Sequence, residues 1–153
     1  MTNLDETDLN ILRTLQENSN LTTKELAERV HLSSTPVFER LRRLQNEGYI
    51  KKYIAVLDAE KLHIGFMVFC QVKLKQVNKQ IAQDFTEAVG AMPEVVECYN
   101  TSGEFAYLLK ILVSDMTVYR NFVLEKLGII DCVASLQSIF VMDEVKHEYG
   151  FPV

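Results

Sequence analysis

Between residues 22 and 48 the chain has room for two short helices and almost nothing between them, and this constrains the fold more than any other stretch. Thr22-Thr23-Lys24-Glu25 has the spacing of a capping box, in which the Thr hydroxyl and the Glu carboxylate each satisfy an orphan amide of the first turn. The helix it opens runs to about Val30, with Leu26, Ala27 and Val30 on its apolar side. His31-Leu32-Ser33 is too short to be anything but a tight turn. A further helix then starts near Ser34 or Thr35, with Ser33 as its cap, Pro36 tolerated in the first turn and Gly48 as its stop.

Upstream, Asp5 reads as the cap of a first helix, with Glu6 and Asp8 favourable near the positive end of its dipole. Leu9, Leu12 and Leu15 continue one face of it. Three short helices with a tight turn between the second and third describe a helix-turn-helix, whose last helix enters the DNA major groove.

At about 100° per residue, Val37, Leu41 and Leu44 fall on one side of the third helix, while Thr35, Glu39, Arg42 and Arg43 point away. DNA contacts are therefore expected from Ser33, Ser34, Thr35 and Pro36 at its start, and from Phe38, Glu39, Arg42 and Arg43 along it. Lys51 and Lys52, just beyond, are placed to touch the flanking phosphates. Arg40 lies nearer the apolar side and is better suited to an ion pair inside the packet. Charge distribution agrees with a local contact. Acidic and basic residues balance over 1–53, so the whole net charge of −5 belongs to 54–153. An acidic chain with one basic spot is a poor general polyanion binder but permits a localised one.

The rest of the chain alternates differently. Residues 50–57 read as a strand leaving the first domain. The period-two runs 65–75, 94–101, 105–113 and 132–142 read as four further strands, with one helix carrying Ile81, Phe85, Ala88 and Met92 at spacings of three and four and another over 115–127. The order βαββαβ predicts a ferredoxin-like antiparallel sheet with both helices on one face. Several strands are apolar on both sides, as in Val68-Phe69, Leu108-Leu109 and Ile139-Phe140, so the open face calls for a partner sheet, most simply that of a second copy. The fold class is thus α+β: a winged-type helix-turn-helix domain over 1–50, a strand and connector over 51–63, and a βαββαβ sandwich for dimerisation over 64–153.

Other classes fall away. No apolar run approaches the ~20 residues of a membrane span, and the polar, acidic start does not read as a signal peptide. Cys70, Cys98 and Cys132 are an odd, scattered set in apolar contexts, expected as reduced, buried thiols of a cytoplasmic protein. Three isolated histidines and no Cys-x-x-Cys give no metal site, and neither a cofactor nor a catalytic acid/base pair is indicated.

Several motifs coincide in order: Leu4, Asp5, Asp8, Ile11 and Leu12; Glu25, Leu26 and Ala27; Leu32 and Ser33; Arg40 and Leu44; Gly48 and Ile50. On these residues the chain closely resembles the Lrp/AsnC family of bacterial and archaeal transcription regulators, over nearly its whole length. The resemblance implies a regulator of double-stranded DNA that dimerises through the C-terminal sheets. It also implies assembly into tetramers, octamers or larger discs, and sensing of an amino acid between dimers.

The family's effector loop falls on Ser102, Gly103, Glu104, Phe105 and Ala106, preceded by Thr101, with Ser135 and Gln137 on the last strand matching positions that line the same pocket. From the residues alone the loop is a hairpin turn, in which Gly103 supplies a permissive φ and successive amides can form a nest for a carboxylate. Where the family usually has an acid for the ligand's amino group, this chain has Ala106, with Glu104 on the same strand face as a substitute. Two other readings stand beside the regulator: a sirohaem-decarboxylase-like enzyme on the same scaffold, and a ligand-sensing assembly partner without DNA binding.

Overall fold

The structure, a computed structural model, describes residues 4–153; Met1–Asn3, part of the polar start, lie outside the described residues. Two compact units are present: Met1–Val56 with Val145–Val153, and Leu57–Glu144.

The first unit is a packet of three helices, α1 (Glu6–Glu17), α2 (Thr23–Arg29) and α3 (Ser34–Asn46). Its helix starts follow from local chemistry. The Asp5 side chain accepts the Asp8 N–H while the Asp8 side chain accepts the Asp5 N–H, and Thr22 and Glu25 do the same for α2. Each reciprocal pair satisfies two amides that no helical carbonyl can reach. His31, at φ 56°, ends α2 in the left-handed region, with the Leu32 N–H returning to the Ala27 carbonyl. Gly48, at φ 79°, ends α3 in the same way.

Ile11, Leu26, Ala27, Val37 and Leu44 are buried at the centre of the packet, ringed by Leu4, Leu12, Leu15, Leu21, Val30, Leu41 and Ile50. The chain's last residues return to this unit. The Phe151 N–H donates to Gln16 Oε1 at 2.8 Å, Gln16 Nε2 donates to the Phe151 carbonyl at 3.1 Å, and Arg13 Nε donates to the Val153 main-chain oxygen at 2.7 Å. Division by sequence pattern had placed this tail with the sheet.

The second unit runs β1 (Phe66–Leu74), α4 (Lys79–Gly90), β2 (Val95–Asn100), β3 (Tyr107–Val113), α5 (Met116–Phe122, continued as one π-helical turn, Val123–Leu127) and β4 (Val133–Phe140). The four strands form an antiparallel sheet in the order β2-β3-β1-β4. Side chains alternate as a half-covered sheet requires. Val68, Cys70, Val72 and Leu74 of β1 and Tyr107, Leu109, Ile111 and Val113 of β3 are buried beneath Phe85 and Val89 of α4 and Tyr119, Phe122 and Leu127. The other face carries, in register across the sheet, Tyr99–Leu108–Gln71–Gln137 and Glu97–Lys110–Phe69–Ile139.

Two expectations are corrected. Residues 51–57 pair with no strand among the described residues. An extended segment becomes a strand only when a neighbour supplies its hydrogen bonds, and none lies beside this one. Cys98 is exposed rather than buried, because β2 is an edge strand; Cys70 is buried, Cys132 is intermediate, and all three are free thiols.

Candidate nucleic-acid interface and sensing loop

The helix expected to read DNA is α3, and apart from Arg43 the residues its periodicity turns outward are exposed. Ser33, Ser34, Thr35, Glu39 and Arg42 are exposed, Phe38 is 53% exposed, and Pro36 is half-buried against the packet. Ser33 has the extended backbone of a cap, but its side chain makes no capping hydrogen bond. The other four α-helices are capped by Asp5, Thr22, Asn78 and Asp115. Pro36 has no N–H, so the first turn of α3 keeps the Ser34 and Thr35 amides, and the positive end of its dipole, available to an anion.

The three arginines of α3 separate into two groups. Arg40 donates to Asp5 Oδ2 at 2.6 Å and to Asp8 Oδ1 at 2.8 Å, the internal ion pair its helical angle suggests. Arg43, expected at the DNA, instead turns to Asp8 Oδ2 at 2.5 Å. Asp8 is 1% exposed and is the buried charged residue of this packet. The Asp5 carboxyl is held below its usual pKa, first by the Asp8 amide and then by Arg40; the Arg40 guanidinium is held more firmly protonated by Asp5 and then Asp8.

Arg42 remains exposed, with no ion pair among the described residues. Lys51 and Lys52 are exposed in the extended segment, which Tyr53 ties back to α3 by accepting a hydrogen bond from Gln45 Nε2 at 3.1 Å. Sequence reasoning missed Asp8 as an anchor. The signal was an acidic N3 residue together with two arginines three residues apart on the helix it would face.

In the second unit, Thr101–Ala106 closes the β2–β3 hairpin. The Thr101 N–H donates to the Ala106 carbonyl at 2.9 Å and the Thr101 hydroxyl to the Phe105 carbonyl at 2.8 Å, while the Ala106 N–H donates to the Val72 carbonyl at 2.9 Å. Gly103, at φ 116°, makes the turn possible, and Ser102, Gly103 and Glu104 are exposed at its tip. Glu104 Oε1 accepts from Lys73 Nζ at 2.9 Å, so its carboxylate already holds a cation. Lys73 stands opposite Ser135, and Gln137 is opposite Gln71 one row further in. The loop, Lys73 and Ser135 thus meet at one end of the open sheet face; Lys73 was not anticipated, although strand alternation puts it on that face. A cavity of about 360 Å³ lies elsewhere, between α4 and β2, lined by Val89, Val96 and Cys98 among others. Among the described residues no group of His, Cys, Asp or Glu could hold a metal, and no helix is long and apolar enough to cross a membrane.

A helix-turn-helix with an exposed third helix, joined to a βαββαβ unit with an exposed hairpin, is the plan of a DNA-binding protein with a second, α+β domain. The comparisons narrow it. Residues 4–51 match the family described as winged helix-turn-helix DNA-binding, and residues 67–151 match the Lrp/AsnC ligand binding domain. The proline dehydrogenase transcriptional activator of Rhizobium radiobacter is 39% identical over 94% of this chain and 92% of its own length. The leucine-responsive regulatory protein of Escherichia coli K12 is 39% identical over 94% and 87%. A Neisseria meningitidis transcriptional regulator solved in complex with L-Met superimposes with TM-score 0.94 at 39% identity, covering 98% of this chain and 97% of that one. The chain belongs to the Lrp/AsnC family and is a DNA-binding transcriptional regulator, not an enzyme. The decarboxylase alternative finds no support among these relatives.

Proposed function

We propose that this regulator binds double-stranded DNA in the cytoplasm as a two-fold dimer, and that an amino acid held at the 101–106 loop modulates it. The uncapped, exposed first turn of α3 carries the reading. Ser33, Ser34 and Thr35 are placed for phosphates and base edges, with the ring of Phe38 available to a thymine methyl and Glu39 to a cytosine amino group. Arg42 is assigned to guanine or phosphate, and Lys51 and Lys52 to the flanking backbone. Arg43 is withdrawn from the contact set, since Asp8 holds it.

The dimer reading is supported by Leu108, Phe69 and Ile139 on the open sheet face and by Tyr53, Ile54, Val56 and Leu57, which are exposed along 53–57. A second copy would cover the face and give the 51–57 segment a strand to pair with. Two recognition helices could then meet half-sites about 34–36 Å apart. Further assembly of such dimers into tetramers or octamers fits the same family plan.

For the effector, the loop amides suit a carboxylate, while Thr101, Ser102, Phe105, Ser135 and Gln137 supply hydroxyl, amide and ring surface around them. Ala106 offers no charge, and Glu104 is neutralised by Lys73. The ligand's ammonium therefore needs an acceptor other than a free carboxylate of this loop, and Ala106→Asp should tighten binding.

The test is fluorescence anisotropy of the DNA upstream of the chain's own gene against a scrambled fragment, over a salt series, with and without L-Met as the first probe. The expected result is a preference of 10³-fold or more (roughly the lower bound for specific binders) that shifts with the amino acid. Equal binding to this fragment, to scrambled DNA and to every fragment in a genome-wide selection would defeat the DNA reading and favour a sensing partner without DNA binding.

A further inference from the structure

We propose that Asp8 is the positioning residue of the DNA interface: through Arg40 and Arg43 it fixes the rotation of α3 on α1, and so decides which α3 side chains face DNA. The inference rests on the regulator reading and assigns a role to groups that touch no nucleic acid.

Apolar contacts hold α3 down without fixing its angle. Ile11, Val37 and Leu44 are fully buried, but burial is non-directional, and a core of aliphatic side chains tolerates small rotations. Charge-assisted hydrogen bonds do not, because donor and acceptor must align. Here one carboxylate takes three of them. Asp8 Oδ1 accepts from Arg40, while Oδ2 accepts from Arg43 and from the Asp5 N–H. Asp5, the α1 cap, holds Arg40 a second time.

The two arginines are three residues apart on α3, so they grip α1 at two points along one stripe of the helix. Arg42 lies about 100° around from Arg43 and about 200° from Arg40, away from that stripe. Fixing the stripe therefore fixes where Arg42, Glu39 and Thr35 point. The α1 end of the clamp cannot swing, because Asp8 is 1% exposed and in the capping box. Without Asp8, Arg43 would lose its carboxylate and Arg40 would keep Asp5 alone beside an apolar packet, which favours a turn of α3 toward water.

The experiment uses the full chain as wild type, Asp8→Asn, Asp8→Glu, Arg43→Gln and Arg42→Gln, with a duplex selected by wild type from a random pool and a scrambled control. Binding is read over a salt series at a temperature where circular dichroism shows each variant folded. Asp8→Asn and Arg43→Gln should each lower the selected-to-scrambled ratio by about tenfold, comparable with one base pair's worth of readout. Their salt slope should stay unchanged, since they remove no phosphate contact. Asp8→Glu should restore part of the ratio. Arg42→Gln should reduce the slope by about 0.9 if it meets one phosphate, or leave it unchanged and lower the ratio if it reads a base.

Two binding results overturn the proposal: an Arg43→Gln slope lower by about 0.9, which would make Arg43 a phosphate contact, or an Asp8→Asn protein that is only less stable, with its ratio intact. If Asp8→Asn does not fold, Arg43→Gln, which leaves the Asp8–Arg40 pair in place, carries the test. Hydrogen exchange of the free proteins separates this proposal from the regulator reading. A wild type without sequence preference would sink the regulator reading alone. Amide exchange in α3 no faster in Asp8→Asn than in wild type would sink the clamp.

Discussion

Leu44→Ala tests whether the DNA-binding packet stands on its own core. Leu44 is fully buried, and its carbonyl also accepts the Tyr49 and Ile50 N–H groups that close the end of α3. Removing its side-chain carbons takes away burial energy and leaves a hole, at a cost of about 3 kcal/mol within the usual 2–5 for such sites. A unit of this size holds only about 3–10 kcal/mol in total. At roughly 4–8 °C per kcal/mol for a small domain, its melting should fall by about 12–24 °C.

The two apolar clusters share no residue, one built on Ile11, Leu26, Ala27, Val37 and Leu44 and the other on the sheet and its helices. The loss should therefore stay local. Segment-resolved hydrogen exchange on heating should find α1–α3 opening first while β1 and β3 remain protected, and DNA binding should disappear with the first step. Leu44→Met, which nearly conserves volume, should cost less than about 1.5 kcal/mol. A single transition in which both clusters lose protection together, at a common lowered temperature, would refute the separation of the two cores.

Three carboxylates at helix starts set an acid limit. Asp5, Glu25 and Asp115 are each held below their usual values of 3.8, 4.5 and 3.8, first by the backbone N–H groups of Asp8, Thr22 and Val118 respectively. A pKa lowered in the folded state adds stability that is complete above the unfolded value and lost as pH falls through the folded one. Melting temperature should accordingly hold above about pH 5 and decline below it, and Asp115→Asn should flatten that decline for the sheet unit. At the alkaline end, Tyr119 is pushed up to about 12, chiefly by burial. Its contribution is complete below pH 10 and lost as pH rises toward 12, so ultraviolet titration should show a late-ionising component that Tyr119→Phe reduces, beside Tyr99, which the Glu97 carboxylate also raises. Gln16→Ala removes both hydrogen bonds to Phe151, so limited proteolysis should cut 144–153 faster while the melting temperature barely moves.

What could be read from sequence was whatever is decided within a few residues. The Asp5/Asp8 and Thr22/Glu25 boxes are three-residue relations, and they place α1 and α2 to within a residue. Strand alternation likewise gave the βαββαβ order and the two faces of the sheet, because pleating is local. What failed depended on distant partners. Arg43 has the helical angle of an exposed residue, and only the approach of Asp8, 35 residues away in the chain, draws it inward. Nothing in the Gly150-Phe151-Pro152-Val153 stretch announces that its backbone will meet Gln16. Residues 51–57 have the composition of a strand, yet composition cannot supply a neighbour. The sensing loop was legible as a turn from Gly103, while the Lys73–Glu104 pair that alters its charge joins β1 to the loop and was not.

The division of the arginines has a consequence for how an acidic chain holds DNA at all. Five basic side chains stand on or just after α3, but Arg40 and Arg43 are committed to Asp5 and Asp8, leaving Arg42, Lys51 and Lys52. With all three on phosphates the log–log salt slope would be only about −2.7 for one copy, and about −5.4 for a two-fold pair. One copy alone would bind weakly at physiological salt, so useful affinity has to come from joining copies, which turns the second contact into an intramolecular one. A charged substitution on the open sheet face, such as Leu108→Glu, should therefore weaken DNA binding by orders of magnitude and roughly halve the salt slope, although Leu108 belongs to the sheet unit. A slope near −5.4 in a variant shown by light scattering to be a single copy would mean that more cations reach the phosphates than Arg42, Lys51 and Lys52.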